Sequence, residues 1–142
     1  VEPCASLENL VRSSQILVTT TPSTEPLILA DWVQPGLHIT AMGSDLPGKR
    51  ELDAGILQRA DLVACDTLEQ CQIGGELQHL AGQDIGDKVA ELGQFTSGAR
   101  GLMRGADAVT VCDLTGTGAQ DTAIAVQAFS RIKDAGLGTP VR

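Results

Sequence analysis

The chain has 142 residues, 42% of them apolar and 20% charged, the length of one domain and a globular rather than disordered composition. Ten Lys and Arg stand against 18 Asp and Glu, a net charge of -8, which argues against nucleic acid or an anionic membrane as partner, since phosphate-rich surfaces need a basic face. Trp32, Phe95 and Phe129 are too few and too scattered to stack on a single strand. No run approaches the roughly 18 apolar residues of a membrane-crossing helix. Val1-Glu2-Pro3-Cys4 has no basic region followed by an apolar stretch, so no leader peptide is expected there. Cys4, Cys65, Cys71 and Cys112 form no CxxC pair and lie mostly in apolar runs; they read as reduced thiols of a cytoplasmic protein.

In chain order, Ser6-Leu7-Glu8-Asn9-Leu10-Val11 opens with a good N-cap residue and has apolar positions 7, 10 and 11, the start of a helix. Residues 15–21, QILVTTT, form a β-branched apolar run that stops at Pro22. Continuous apolar character without alternation suits a strand buried on both faces, as in a parallel sheet. Similar runs are His38 to Met42, ending at Gly43, Asp61 to Cys65, ending at Asp66, and Ala108 to Cys112, ending at Asp113. Between them lie a short helix candidate from Glu51 to Arg59 and another from Thr67 to Leu80, weakened by Gly74-Gly75. Residues 82–105 read as loop-rich with short helices. Asp121 to Ala135 is amphipathic, with Gly136 as a natural stop. Trp32, just before Val33 and Pro35-Gly36, is expected to pack against the sheet. The reading is a single α/β domain over 1–142, with a mostly parallel sheet of about four strands. Ligands of such sheets gather at the C-terminal ends of the strands.

Three such ends carry a specific pattern. They are Thr19-Thr20-Thr21-Pro22-Ser23, then residues 40–52, TAMGSDLPGKREL, then residues 113–121, DLTGTGAQD. Together they resemble the ornithine cyclodeaminase/mu-crystallin family, which includes archaeal-type alanine dehydrogenase, ketimine reductases and an ectoine-utilisation branch. The A-x-G-x-D-x-P-G-K-x-E-L block is the specific one and the other two support it. The resemblance implies a partial Rossmann-like three-layer fold, NAD or NADP as cofactor, and a small amino or imino acid changed at its α-carbon. In the cyclodeaminases of the family, ammonia is lost as the ring closes. By the motif match, Asp45 takes the place of the catalytic aspartate, where a carboxylate can move protons and stabilise an iminium cation. Thr21, Thr40, Ala41, Met42 and Lys49 take cofactor-contacting places. Leu114 falls near the nicotinamide and Thr115 near the substrate.

Members of the family are about twice this long. The resemblance therefore implies that the chain lacks the substrate-gripping residues, the G-x-G-x-x-G turn for the pyrophosphate and the acidic residue for the ribose. Val1 to Cys4 takes the place of the end of a preceding strand. With the first strand of such a sheet missing, the strand at 16–20 becomes an open edge, and the expectation is a homodimer in which that edge or a swapped terminal segment completes the sheet.

Plainer readings stand beside these. Asp45 could be a turn residue before Pro47-Gly48, Lys49 a solvated surface lysine, and the threonines ordinary strand residues. Gly116-Thr117-Gly118-Ala119-Gln120-Asp121 imitates a phosphate loop, but Asp121 would repel a phosphate and instead suits a helix start. His38 and His79 have no partners at metal-ligand spacing, so no metal is expected. None of the serines sits in a nucleophile elbow. Two classes of function remain: part of an NAD(P)-dependent enzyme that has little turnover alone, or a free-standing oligomerisation or binding module.

Overall fold

A computed structural model describes residues 2–102 and 104–139. Five strands form one sheet: β1 Ile16–Thr19, β2 His38–Ala41, β3 Leu62–Cys65, β4 Val89–Glu91 and β5 Thr110–Asp113. Their order is β1-β2-β5-β3-β4 and every pairing is parallel. The last strand in sequence is therefore the middle one in space, with Ile39 opposite Val111 on one side and Val63 opposite Val111 on the other.

The side chains alternate across this sheet. Leu17, Ile39, Ala41, Val63, Cys65 and Val111 point to one face and are buried. The helices α1 Leu7–Ser13, α2 Ala54–Arg59 and α3 Leu68–Ile73 contribute Val11, Ile56, Leu57 and Cys71 to the same core, joined by Leu77 and Leu80 of a 3-10 turn over Glu76–Leu80. Trp32 is half-buried and packs against it. Caps set the helix starts: the Ser6 hydroxyl accepts from the Asn9 amide and the Asp53 carboxylate from the Gly55 amide.

On the opposite face the coverage is uneven. Ile16 and Val18 of β1 are 68% and 55% exposed. Over the centre of the sheet, α4 Leu92–Thr96 and the chain after it form a partial third layer. Leu92, Phe95, Leu102 and Leu114 face His38, Thr40, Leu62, Ala64 and Cys112 across a groove of about 380 Å³. The fold is thus α/β with layers on both faces of a parallel sheet, as the sequence predicts.

Four details differ, the first being the helix expected from Glu51, which starts at Ala54 because Asp53 caps it. The sheet has five strands instead of about four. The additional one, β4, lies in the segment read as loop-rich, and its three residues pair with β3 alone, too short to show a periodic signal. The helix expected over Thr67 to Leu80 breaks at Gly74-Gly75 into α3 and the 3-10 turn. A Cβ on Gly75 would lie 2.6 Å from the Asp113 carboxylate, so close approach to β5 decides the break. The final helix, α5 Gly118–Asp134, starts three residues before the expected Asp121 because Thr117 and Gln120 form a capping box. Val1 lies outside the described residues, and Glu2 to Cys4 are in no strand.

Candidate functional site

Parallel strands bring all five C-terminal ends to one edge, and a chain of carboxylates organises the loops there. Asp113, the last residue of β5, is fully buried and accepts hydrogen bonds from the amides of Glu76 (2.9 Å) and Leu77 (3.0 Å). Glu76, also buried, accepts from the amide of Glu51 at 2.7 Å. The buried Glu51 carboxylate in turn takes the amides of Thr21 and Gly43, at 2.5 and 2.9 Å. Three acids thereby tie the ends of β1, β2 and β5 to the start of the 3-10 turn, each satisfying amides that no strand or helix pairs. Gly43 is required in this knot, since a Cβ there would meet the Thr21 carbonyl at 2.2 Å.

Taking these acids out of water has a cost that shows in their protonation. Burial pushes Glu76 up to about 7, despite the amides of Glu51 and Leu52, and the nearby charges of Asp113 and Glu51 add to the rise. Burial also raises Asp113 to about 6, opposed by the amides of Glu76 and Leu77. Glu76 Oε2 is buried without a hydrogen-bond partner. That oxygen is the natural seat for a proton.

The loop after β2 carries Asp45, which is exposed and paired with Lys49 four residues on. The loop after β5 is held by Asp66, at the end of β3. Asp66 accepts from the amides of Thr115 (3.0 Å) and Gly116 (2.6 Å) and from the Thr115 hydroxyl at 3.2 Å. Cys71 Sγ lies 3.2 Å from Asp66 Oδ1 and 3.4 Å from the Asp113 carbonyl. A hydrogen bond with Cys65, then burial, then the neighbouring carboxylates raise the Cys71 thiol. Burial raises Cys112 to about 11. Both stay protonated at neutral pH and are poor nucleophiles.

The residues singled out in the sequence fall into three places. Asp45, Lys49 and Met42, the last 49% exposed, crowd the solvent side of the β2 loop, and Thr21 lies across Glu51 from it. Thr40 and Leu114 line the apolar groove on the open face of the sheet. Thr115 is fixed by Asp66. Ala41 stands apart: its side chain is in the core, and its carbonyl already accepts from the Leu114 amide at 2.9 Å. That bond sets the Leu114 backbone beside the last residue of β2, one residue before Met42.

Two sites of plainer meaning complete the picture. His38 Nδ1 is 2.8 Å from the Thr110 hydroxyl across the β2–β5 pair, and its Nε2 is 3.2 Å from the hydroxyl of Thr40, two residues on in β2. Burial, with a smaller contribution from Arg104, lowers its pKa. In the Gly116 to Asp121 segment, Gly116 has φ +85, and a capping box takes the amides of Thr117 and Gln120, so this turn caps its own helix. Among the described residues no group of three or more His, Cys, Asp and Glu could hold a metal ion.

Sequence reading missed Glu51, Glu76, Asp66 and Asp113 as site-building residues. An acid at the end of each of two apolar strands was the available signal. Apart from the Gly43 amide eight residues before Glu51, the remainder depends on pairs 25 to 50 residues apart.

The donor set fits part of a dinucleotide. The groove, apolar along Leu62, Leu92, Phe95, Leu102 and Leu114 with the polar groups of His38, Thr40 and Thr110 in its lining, suits a flat ring. A glycine-rich backbone cradle for a pyrophosphate is not present among the described residues, where the one candidate turn is capped.

The sequence profile described as the ornithine cyclodeaminase/mu-crystallin family matches residues 1–136. A protein of Rhizobium meliloti (strain 1021) named as a dehydrogenase is 46% identical over 132 residues, 91% of this chain and 40% of that protein. The structure of an archaeal alanine dehydrogenase dimer with bound NAD superposes with a TM-score of 0.85 at 34% identity, over 96% of this chain and 43% of that one. The iminosuccinate reductase of Paracoccus denitrificans in complex with NAD+ gives the same score and identity, over 97% and 43%. The chain spans less than half the length of each. On motif, fold and extent of match together, it belongs to the ornithine cyclodeaminase/mu-crystallin family.

Proposed function

We propose that this chain is the C-terminal part of the dinucleotide-binding unit of an NAD(P)-dependent enzyme that acts at the α-carbon of a small amino or imino acid. The observation that carries the reading is the Asp45–Lys49 ion pair in the loop after β2, on the same C-terminal edge of the parallel sheet as the loop that starts at Leu114. When bound, the nicotinamide supplies hydride transfer at Cα. Asp45 holds or moves the proton on the substrate nitrogen and stabilises the positive charge of an iminium carbon. Lys49 orients Asp45 through their ion pair, and its ammonium is available to an anionic part of the cofactor. Thr40 and Leu114 form the floor under the ring, while Thr21 and Met42 border it. Ala41 contributes backbone. Thr115, held by Asp66, presents its loop to the substrate. Deamination with ring closure, as in cyclodeaminases, and simple reduction of an imine both fit this arrangement. The reduced thiols and acidic surface fit a cytoplasmic enzyme.

The 142 residues alone are expected to turn over negligibly, because the described residues offer no pyrophosphate cradle. A second reading, a free-standing oligomerisation module, is favoured by one observation, the outer edge of β1, which pairs with no strand among the described residues. Titration of the protein in its natural full-length form with NAD+, NADH and NADPH, followed by Trp32 fluorescence and calorimetry, separates the two. The enzymatic reading expects a Kd below about 100 μM, roughly -5.5 kcal/mol, and Asp45→Asn should lower kcat at least ~100-fold while that Kd moves less than about threefold. Absence of binding at millimolar dinucleotide would sink it.

A further inference from the structure

The loop that carries Asp45 makes few bonds of its own. Leu46-Pro47-Gly48-Lys49 is a β-turn, with the Lys49 amide donating to the Leu46 carbonyl at 3.2 Å. Pro47 stands at its second position and Gly48, φ +83, at its third, the pattern of a type II turn. The turn is exposed from Leu46 to Gly48, and its two ends carry Asp45 and Lys49. Left to itself, such a turn would move as a flap, and the carboxylate would move with it.

What holds it is the segment Gly74 to His79. Gly74 lies flat under the loop: a Cβ there would be 3.2 Å from the Asp45 carbonyl oxygen and 3.3 Å from Leu46 Cα. The Gln78 carboxamide then grips the turn at two points. Its Oε1 accepts from the Gly48 amide at 2.8 Å, and its Nε2 donates to the carbonyls of Gly74 and Gly75, both at 2.9 Å, with Lys49 and Leu46 carbonyls at 3.2 and 3.4 Å. The Lys49 carbonyl also receives the Ser44 hydroxyl (3.0 Å) and His79 Nε2 (2.8 Å). The ring nitrogen facing a carbonyl must carry the hydrogen, so His79 donates whether neutral or charged.

We propose that Gln78 is a positioning residue for Asp45, fixing the β2 loop by accepting from its Gly48 amide while donating to the carbonyls beneath it. The inference rests on the functional reading of Asp45 given above. A carboxamide is the side chain that can do both at once: a carboxylate there keeps the acceptor and loses the donors, and a thioether of the same length loses both. Gln78 touches neither the groove nor the Asp45 carboxylate, so its influence passes through the loop backbone. The position of the 3-10 turn that carries it is fixed by Asp113 through the amides of Glu76 and Leu77.

The experiment compares wild type, Gln78→Met and Gln78→Glu in the full-length form of the protein by hydrogen exchange, steady-state kinetics and NADH titration. In Gln78→Met, exchange over residues 43–50 should rise at least ~10-fold with β3, residues 62–65, unchanged, and kcat should fall at least ~10-fold at temperatures where the protein is fully folded. Gln78→Glu should lie between, because it retains the acceptor for Gly48. Unchanged exchange in the loop, or a loosened loop with unaltered kcat, overturns the proposal. A wild type that binds no NADH defeats the functional reading instead, and the exchange arm still decides whether Gln78 anchors the loop.

Discussion

Glu76 combines two properties that rarely coexist: full burial and one carboxylate oxygen without a partner. Its pKa, pushed up to about 7 by burial, means that the folded protein holds a proton that the unfolded chain releases above pH ~4.3. The contribution to stability is therefore full below that point and is lost as pH rises through about 7. Asp113, raised to about 6 by burial, acts in the same direction over a lower window. Thermal unfolding at pH 5 and pH 8 should show the protein less stable at the higher pH, by on the order of 2 kcal/mol from Glu76. Glu76→Gln keeps an acceptor for the Glu51 amide and cannot ionise, so it should remove most of that slope. A variant whose pH dependence matches the wild type would show that Glu76 is not its source.

At the scale of elements, each loop of the C-terminal edge is held by a residue from a different part of the chain. Asp66, ending β3, holds the loop after β5, and it does so by accepting from two amides and a hydroxyl. Asp66→Ala would leave those donors without a protein partner, at a cost of about 2 kcal/mol. It should lower the melting temperature by several degrees and speed exchange at residues 114–117; a change confined to activity, with melting unaltered, would argue against this bracing role. Such cross-chain ties also explain what the sequence disclosed. The four longer strands, the Ser6 cap and the end of α5 were legible because their signals are local: apolar runs, a capping residue, a glycine stop. The Asp45 block was legible because its residues are contiguous. Hidden were β4, whose three residues pair with one neighbour, the break at Gly75, dictated by Asp113 37 to 38 residues away in sequence, and the carboxylate chain itself. Glu51 reads locally as a helix-start acid, yet its partners are Thr21 and Gly43.

For the whole molecule, the uncovered surfaces are the telling feature. Among the described residues the outer edge of β1 pairs with no strand, Ile16 and Val18 beside it are largely exposed, and α5 buries none of its residues, with Phe129 69% and Ile124 71% exposed. An open parallel edge and an apolar helix stripe are both poorly tolerated in water. The 142-residue chain, prepared alone, should therefore sediment as a dimer at tens of micromolar (roughly the range in which such weak edges associate). A single monomeric species at that concentration would remove the edge from consideration as an interface.

The central place of β5 has a consequence for how the site comes into being. As a polypeptide leaves the ribosome, β1 can find β2 and β3 can find β4, but the two pairs share no strand until residues 110–113 arrive to lie between them. His38 meets Thr110 only across 72 residues, a closure that is slow because so much chain must be ordered before any contact repays it. Asp113 enters with that strand and brings the anchor for the 3-10 turn, and hence for the Asp45 loop. The pieces of the site are spread along the sequence, yet one strand joins them: without residues 110–113 the pair β1-β2 and the pair β3-β4 share no neighbour, and the Asp113 anchor of the 3-10 turn is missing.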